Sequence, residues 1–428
     1  MMLSINHARL ANDSVLYHIE CKNGRISSIQ PEETTNLAAD VVADGGIVLP
    51  SLCHSHIHLD KCFILDRCQL VTGDFSEALK VTNQAKAAFE PSDLYKRGHK
   101  LIRDSVECGV TSMRAFVEVD RAVGFSCVEQ GVQLATNFRD VCDVQLAAFA
   151  QEPLFDDTES VDPGENYSLL VRALETHDLQ VVGSAPYVEP TLAQAKLNIG
   201  LILNLALKHR CHVDFHLDYN LDPTSEPLIF NVIEQARQLS WPPALKITVG
   251  HATRLQLFTP EEWKELTSAM GSLPITFVGL PQSDMYMMGR GDSPLGAPRG
   301  TLHIPQIAAQ HNIQIAMAVN NVQNAFTPQG SVDPLSLCTF GVALFQTATP
   351  NDLKTLLRAV TLTSKEAIGE TEAYKDLTLS VGDPANLVVL HGTPTTQLAV
   401  LNPGYVRTTI RAGRVVAYRH NSVWIASN

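Results

Sequence analysis

Residues 49–60 read LPSLCHSHIHLD, an apolar run closed by three histidines at every second position and then an aspartate. Side chains two apart on a strand share a face. If this run is a strand, His56 and His58 point the same way, and two imidazoles on one face make a bidentate metal clip. His54 lies further down the strand and reads as a buried or supporting residue. Whether the clip belongs to a larger site depends on how the other apolar runs end.

Comparable runs recur at 111–118, 144–151, 181–188, 212–218, 246–253, 274–281 and 313–321. Between them lie longer segments such as DLYKRGHKLIRDSVECG and LAQAKLNIGLILNLALKH, whose apolar residues return at helical steps. Repeated β-then-α units predict a parallel sheet with helices outside. The number of strand candidates fits a (β/α)8 TIM barrel, with a doubly wound open sheet as the structural alternative. In a barrel the active site lies at the C-terminal strand ends. There the fifth run places His216 and Asp218, which the alternation rule puts on one face. The sixth run ends on His251 and the eighth on Asn320 and Asn321. Such polar closures of apolar runs need a reason, because buried polar groups without partners are costly.

The chain ends read differently. SVLYHIECKNGRISSI is two alternating runs around Asn23-Gly24, a hairpin signal, and PANLVVLHG and VRTTIRAGRVVAY are strand-like. The predicted organisation is a small β-sandwich domain built from both termini (1–48 plus 376–428) around a barrel at 49–375. The Gly/Pro-rich stretch GRGDSPLGAPRG (289–300) reads as a mobile cover over a site.

With 428 residues, 45% of them hydrophobic, the chain can bury a large core. Its formal charge of -13 argues against nucleic acid as a partner, since phosphate attraction needs a basic surface. The first residues lack a signal-peptide pattern, and no apolar run reaches the roughly 20 residues of a membrane span. Nine cysteines, odd in number and without CxxC spacing, predict a reduced, cytoplasmic setting. Cys53 and Cys62 flank the histidines and are the ones to watch.

Taken in order, these motifs make the chain resemble the amidohydrolase superfamily, and within it the cytosine deaminase-like branch. The resemblance runs through His56 to Asp60, AAFAQE ending at Gln151 and Glu152, FHLDYNLD (215–222), GHAT (250–253), DMYMMGR (284–290) and GDPANLVVL (382–390). It implies a divalent metal, zinc first and ferrous iron as the alternative, at the mouth of the barrel. The metal would activate a water that attacks a C–N carbon of a cyclic small molecule, releasing ammonia or an amine. Carried over by position, His56, His58 and His216 would be metal ligands. His251 would bind the metal or polarise the nucleophile and substrate, and Gln151 would hold the substrate ring. Asp284, in the stretch matching the substrate loop, and the amides Asn320 and Asn321 join the substrate-binding candidates.

Two positions depart from the family pattern. Tyr219 stands where a proton-shuttling glutamate is expected, and Asn320 where a metal-binding aspartate is expected. Zinc held by three histidines lowers the pKa of its water to about 7, so hydroxide can form without that aspartate. A base that returns a proton to the leaving amine is then missing. Asp218 is the first replacement candidate, ahead of Asp222, Asp60 and His251; Tyr219, with a free pKa of about 10, suits donation better than acceptance. The main expectation is a metal-dependent hydrolase of C–N bonds in cyclic small molecules. A non-hydrolytic enzyme on the same scaffold (cyclase, lyase or isomerase) and an inactive small-molecule binder stay open, as does homo-oligomerisation.

Overall fold

The computed structural model describes residues 2–11, 13–32, 39–290, 300–370 and 374–425. All eight predicted apolar runs form strands of one parallel sheet: β6 (Leu52–His58), β7 (Val110–Glu118), β8 (Asp143–Ala150), β9 (Val181–Ser184), β10 (His212–Leu217), β11 (Ile247–His251), β12 (Ile275–Gly279) and β13 (Ile315–Met317). Neighbours in space are neighbours in sequence throughout. A doubly wound sheet reverses its strand order partway, so this order selects the barrel. The seam is closed just beyond β13 by a parallel bridge between Ile57 and Asn320. The Asn320 amide donates to the His56 carbonyl (3.1 Å), and the His58 amide donates to the Asn320 carbonyl (2.9 Å). One substrate-binding candidate is therefore stitched to the histidine strand by its own backbone.

β6 and β7 are buried on both faces, which is why they read as near-continuous apolar runs rather than alternating ones. The lower barrel interior is polar. Arg114, fully buried, donates to Gln145 (2.8 Å), Asp214 (2.9 Å) and Thr248 (2.5 Å). This plug supports the strand ends from below.

The termini build two further sheets. One contains β1 (Met2–Ala8), β2 (Tyr17–Lys22), β3 (Arg25–Pro31) and β4 (Val41–Val42) in the order β3-β2-β1-β4. The other joins β5 (Ile47–Pro50) to β14 (Leu387–Leu390), β15 (Arg407–Arg411) and β16 (Arg414–Arg419) in the order β16-β15-β14-β5. Asn23 and Gly24 both take positive φ (53° and 77°), as a tight hairpin between β2 and β3 requires. We retain 1–48 plus 376–428 against 49–375 as a proposed domain division, although β5 carries its pairing on to Pro50. The expected cover at 289–300 lies mostly outside the described residues. No described helix is long and apolar enough to cross a membrane.

Candidate metal centre and active site

Three strand-end histidines meet. His56, His58 and His216 each offer a nitrogen within 4.8 Å of the others, and all three are buried. His58 Nε2 and His216 Nε2 lie 3.1 Å apart. Both nitrogens of His56 and the Nδ1 atoms of His58 and His216 have no hydrogen-bond partner among the described residues. Asn320 Oδ1 is likewise buried and unpartnered. Native interiors seldom leave so many polar atoms unsatisfied in one place. Burial, reinforced by neighbouring cationic groups, holds all three imidazoles well below the usual histidine range and therefore neutral. Neutral imidazoles with free nitrogens are the form that binds a divalent cation. The residues present thus fit a divalent metal held by His56, His58 and His216, with the Asn320 amide oxygen as a weak neutral fourth donor.

The scaffold makes room for this group. A Cβ on Gly250 would lie 2.7 Å from His56 Cε1, so the residue before His251 has to be glycine for His56 to occupy its place. Below, Asp214 Oδ1 sits 3.9 Å from His56 Nδ1, while its other oxygen takes hydrogen bonds from Arg114 and Thr248.

His251 stands beside the cluster, its ring centroid 5.3 Å from that of His216 and 6.0 Å from that of His56. It is not one of the three histidines whose nitrogens converge. Its Nδ1 lies 2.8 Å from Asp284 Oδ1. Asp284 Oδ2 accepts from Thr301 Oγ1 (2.5 Å) and from the Leu280 amide (3.3 Å). Asp284, expected to touch substrate, is therefore placed behind His251: it is fully buried and its oxygens are engaged. Burial pushes its carboxyl up, an effect opposed by His251 and Thr301. A carboxylate on Nδ1 fixes the proton there and leaves Nε2 as the basic nitrogen. Tyr219 stacks on the His251 ring at 3.7 Å and 29°. Burial, with Asp284 nearby, drives the Tyr219 phenol well above its ordinary range, so it does not act as a base.

Asp218 departs from the alternation expectation. β10 ends at Leu217, and Asp218 takes a left-handed φ of 51°, which removes it from the His216 face. Its carboxylate accepts from the amides of Leu228 (2.8 Å) and Ile229 (3.1 Å), at the start of the helix Ile229–Gln238. It does not line the cavity. His251 and Asn320 also have positive φ (68° each), so the chain turns sharply at three of these strand ends. Burial raises the Asp218 carboxyl to about 6. A folded-state pKa above the unfolded value means the folded chain holds the extra proton between the two. Asp218 should therefore make stability fall as pH rises from about 4 to about 6, with no further loss above that. Denaturant titration across this window should show wild type losing stability relative to Asp218→Asn, while the variant keeps activity within about tenfold, below the 10²–10⁴ of a lost acid–base group. A larger activity loss would return proton transfer to Asp218.

Sequence reading missed Lys61. It is 2% exposed, lines the cavity beside His58, and donates to Glu118 Oε1 (2.8 Å) and Gln151 Oε1 (3.1 Å). Glu118 also meets Lys86 (2.5 Å), which pairs with Asp120 (2.5 Å). Burial opposes ionisation of Glu118, but the two ammonium groups outweigh it and hold the carboxyl low. Asp60, another proton-transfer candidate, accepts from the Glu118 amide (2.6 Å) and is raised by burial and by Glu118. The only available signal for Lys61 was a lysine directly after the histidine motif, which reads equally well as a surface residue.

Phe75, Tyr187, Tyr219 and Phe326 form the aromatic wall, with Phe75 ring centroids 5.7–6.1 Å from the other three. The space enclosed is only about 20 Å³, room for a single water. A flat heterocycle needs more room than this, so lining side chains must shift to admit one. Asn321 lines the cavity, and its Oδ1 is held by Asn324 (2.7 Å). Cys53 and Cys62 are buried thiols pushed up to about 12 by burial, and neither joins the cluster of potential ligands.

No family model matches the chain. It is 24% identical to a pterin deaminase of Rhizobium rhizogenes over 92% of this chain and 86% of that protein. It is 22% identical to an N-isopropylammelide isopropyl amidohydrolase of a Pseudomonas species, over 97% and 96% of the two chains. The fold matches a 5-methylcytosine deaminase from Klebsiella pneumoniae solved with 5-fluorocytosine, at a TM-score of 0.87 and 24% identity, covering 100% of this chain and 99% of that one.

Proposed function

We propose that this chain, similar over most of its length to a pterin deaminase and an amidohydrolase, is a member of the amidohydrolase superfamily and a metal-dependent hydrolase that cleaves an exocyclic C–N bond of a small, flat heterocycle. The observation that carries the reading is the convergence of His56, His58 and His216 with four of their six ring nitrogens left without a hydrogen-bond partner among the described residues. A bound divalent metal, with zinc the proposed ion and ferrous iron the alternative, would supply an acidified water at neutral pH.

The remaining roles fall to the chain itself. Gln151 and Lys61 hold the ring, and Asn320 and Asn321 complete the polar part of the lining. The aromatic wall excludes bulk water once closed. His251 takes over the proton handling that Tyr219 cannot perform. Its Nε2 accepts a proton while Asp284 steadies the resulting imidazolium through Nδ1, and the same nitrogen then returns the proton to the leaving amine. Relatives that hydrolyse C–N bonds, matched over most of their length, weigh against the non-hydrolytic enzyme and the inactive binder. A cytoplasmic setting fits nine buried cysteines, all free.

Metal analysis of protein kept from chelators, paired with an ammonia- and amine-release screen over aminopyrimidines, aminotriazines and aminopterins, tests the reading. Stoichiometric zinc or iron with release from at least one ring class is expected. Folded protein that neither contains nor takes up metal would overturn it.

A further inference from the structure

Among the described residues lining the cavity, the one drawn from lysine, arginine, aspartate and glutamate is Lys61. Among the described residues no carboxylate lines the space. The nearest ones stand outside the lining: Glu118 engaged with Lys61 and Lys86, Asp284 with His251, and Asp60, whose Oδ2 accepts from the Glu118 amide while its Oδ1 has no hydrogen-bond partner among the described residues. Glu118 is divided between two ammonium groups, and Asp120 completes the balance on Lys86. Glu152, 3.9 Å from Lys86, and Asp60, beside Glu118, join the same cluster, and Lys61 is its one member in the cavity lining that carries an ammonium group.

The neighbouring groups reinforce the sign. Gln151 turns its Oε1 toward Lys61, which leaves its NH2 as the group available to a ligand or to Tyr187. Lys61 and Gln151 thus present hydrogen-bond donors at this end of the cavity. The Phe326 ring lies 5.3 Å from Lys61 Nζ and closes the site on that side without contributing an anion. Tyr219 and Asn320, which border the rest of the space, are uncharged. A neutral ring carbonyl would use these donors only partly. A delocalised ring oxyanion, as in a deprotonated hydroxy-azine, would engage the ammonium and the amide together and gain a charge-assisted bond.

We propose that this site takes its heterocycle as a ring-oxyanion monoanion, and that Lys61 is the residue that selects this form. The inference deepens the hydrolase reading and rests on the same cavity being the substrate site. The metal would also attract an anion, so the test has to separate Lys61 from it.

Calorimetric titration of the metal-loaded protein near neutral pH with barbiturate, a ring oxyanion, and with uracil, its neutral counterpart, makes that separation. Barbiturate should bind about 10- to 100-fold more tightly than uracil, the scale of a hydrogen bond to a charged group. Lys61→Met should remove most of that preference with metal content unchanged, and Lys61→Arg should keep it. Gln151→Glu leaves Lys61 and Glu118 in place but adds a carboxylate to the cavity, and it should reverse the order even if Lys61→Met folds poorly. Equal affinity for the two rings, or a preference that survives Lys61→Met in folded, metal-loaded protein, or one that Gln151→Glu leaves unchanged, would overturn the proposal. Tighter binding of orotate than of barbiturate would do the same, by assigning the charge to an exocyclic carboxylate. The hydrolase reading is scored separately by amine release: barbiturate preference in a protein that releases no amine would sink the hydrolase and leave the anion site standing.

Discussion

Changing His56 and His58 together to alanine is expected to strip the bound metal and to lower kcat/KM by roughly 10³- to 10⁴-fold, the upper part of the range for losing one acid–base group. Two of the three converging nitrogens disappear, and one imidazole with a neutral amide does not hold a divalent ion against water. The competing explanation is that these histidines merely fill the barrel mouth. Both explanations predict some loss of stability, because both side chains are buried and their removal leaves space. They differ in linkage. If a metal is held, chelator should lower the Tm of wild type, since binding to the folded state stabilises it by mass action. The double variant should then be indifferent to chelator. A wild-type Tm that chelator does not move, with metal content equal in the two proteins, would remove the metal site from the account.

Asp284→Asn should leave metal content and KM close to wild type while lowering kcat by about 10²- to 10⁴-fold. The reason is orientation and charge. His251 reaches Asp284 through Nδ1 at 2.8 Å, and that contact decides which ring nitrogen keeps its lone pair. An amide in its place can offer N–H to Nδ1, which moves the proton to Nε2 and blocks the basic nitrogen; it also cannot steady the imidazolium. Thr301 and the Leu280 amide hold Asp284 from the other side, so the substitution should perturb the ring more than the fold. The limb of the pH–rate profile that reports the base should be displaced or lost in the variant. If kcat changes less than tenfold, His251 is not the proton carrier, and Asp218, which caps the helix at Ile229, has to be reconsidered despite its engaged carboxylate.

The barrel was legible in the sequence because its signal is local. Each buried parallel strand is a short apolar run, each crossover helix has its own periodicity, and the His-x-His clip needs only the two-residue repeat of a strand. His56, His58, His216 and His251 were singled out this way. The alternation rule failed at Asp218 because the chain leaves the strand one residue earlier, with a left-handed φ that the sequence does not announce at an aspartate. Asp284 was legible as a polar residue near the site, but not as the partner of His251, 33 positions away.

Lys61, Phe75, Phe326 and the Arg114–Asp214 plug were decided only by the tertiary structure. A lysine after the motif becomes a cavity residue because Glu118 and Gln151, from β7 and the end of β8, arrive beside it. Burying that cation requires partners distant in sequence, and only barrel closure supplies them. The sequence by itself determined the scaffold and the histidines, since periodicity and residue type are properties of neighbouring positions. Which polar group faces the substrate, and with what net charge, depends on pairings between strands far apart in the chain, and those exist only once the barrel is closed.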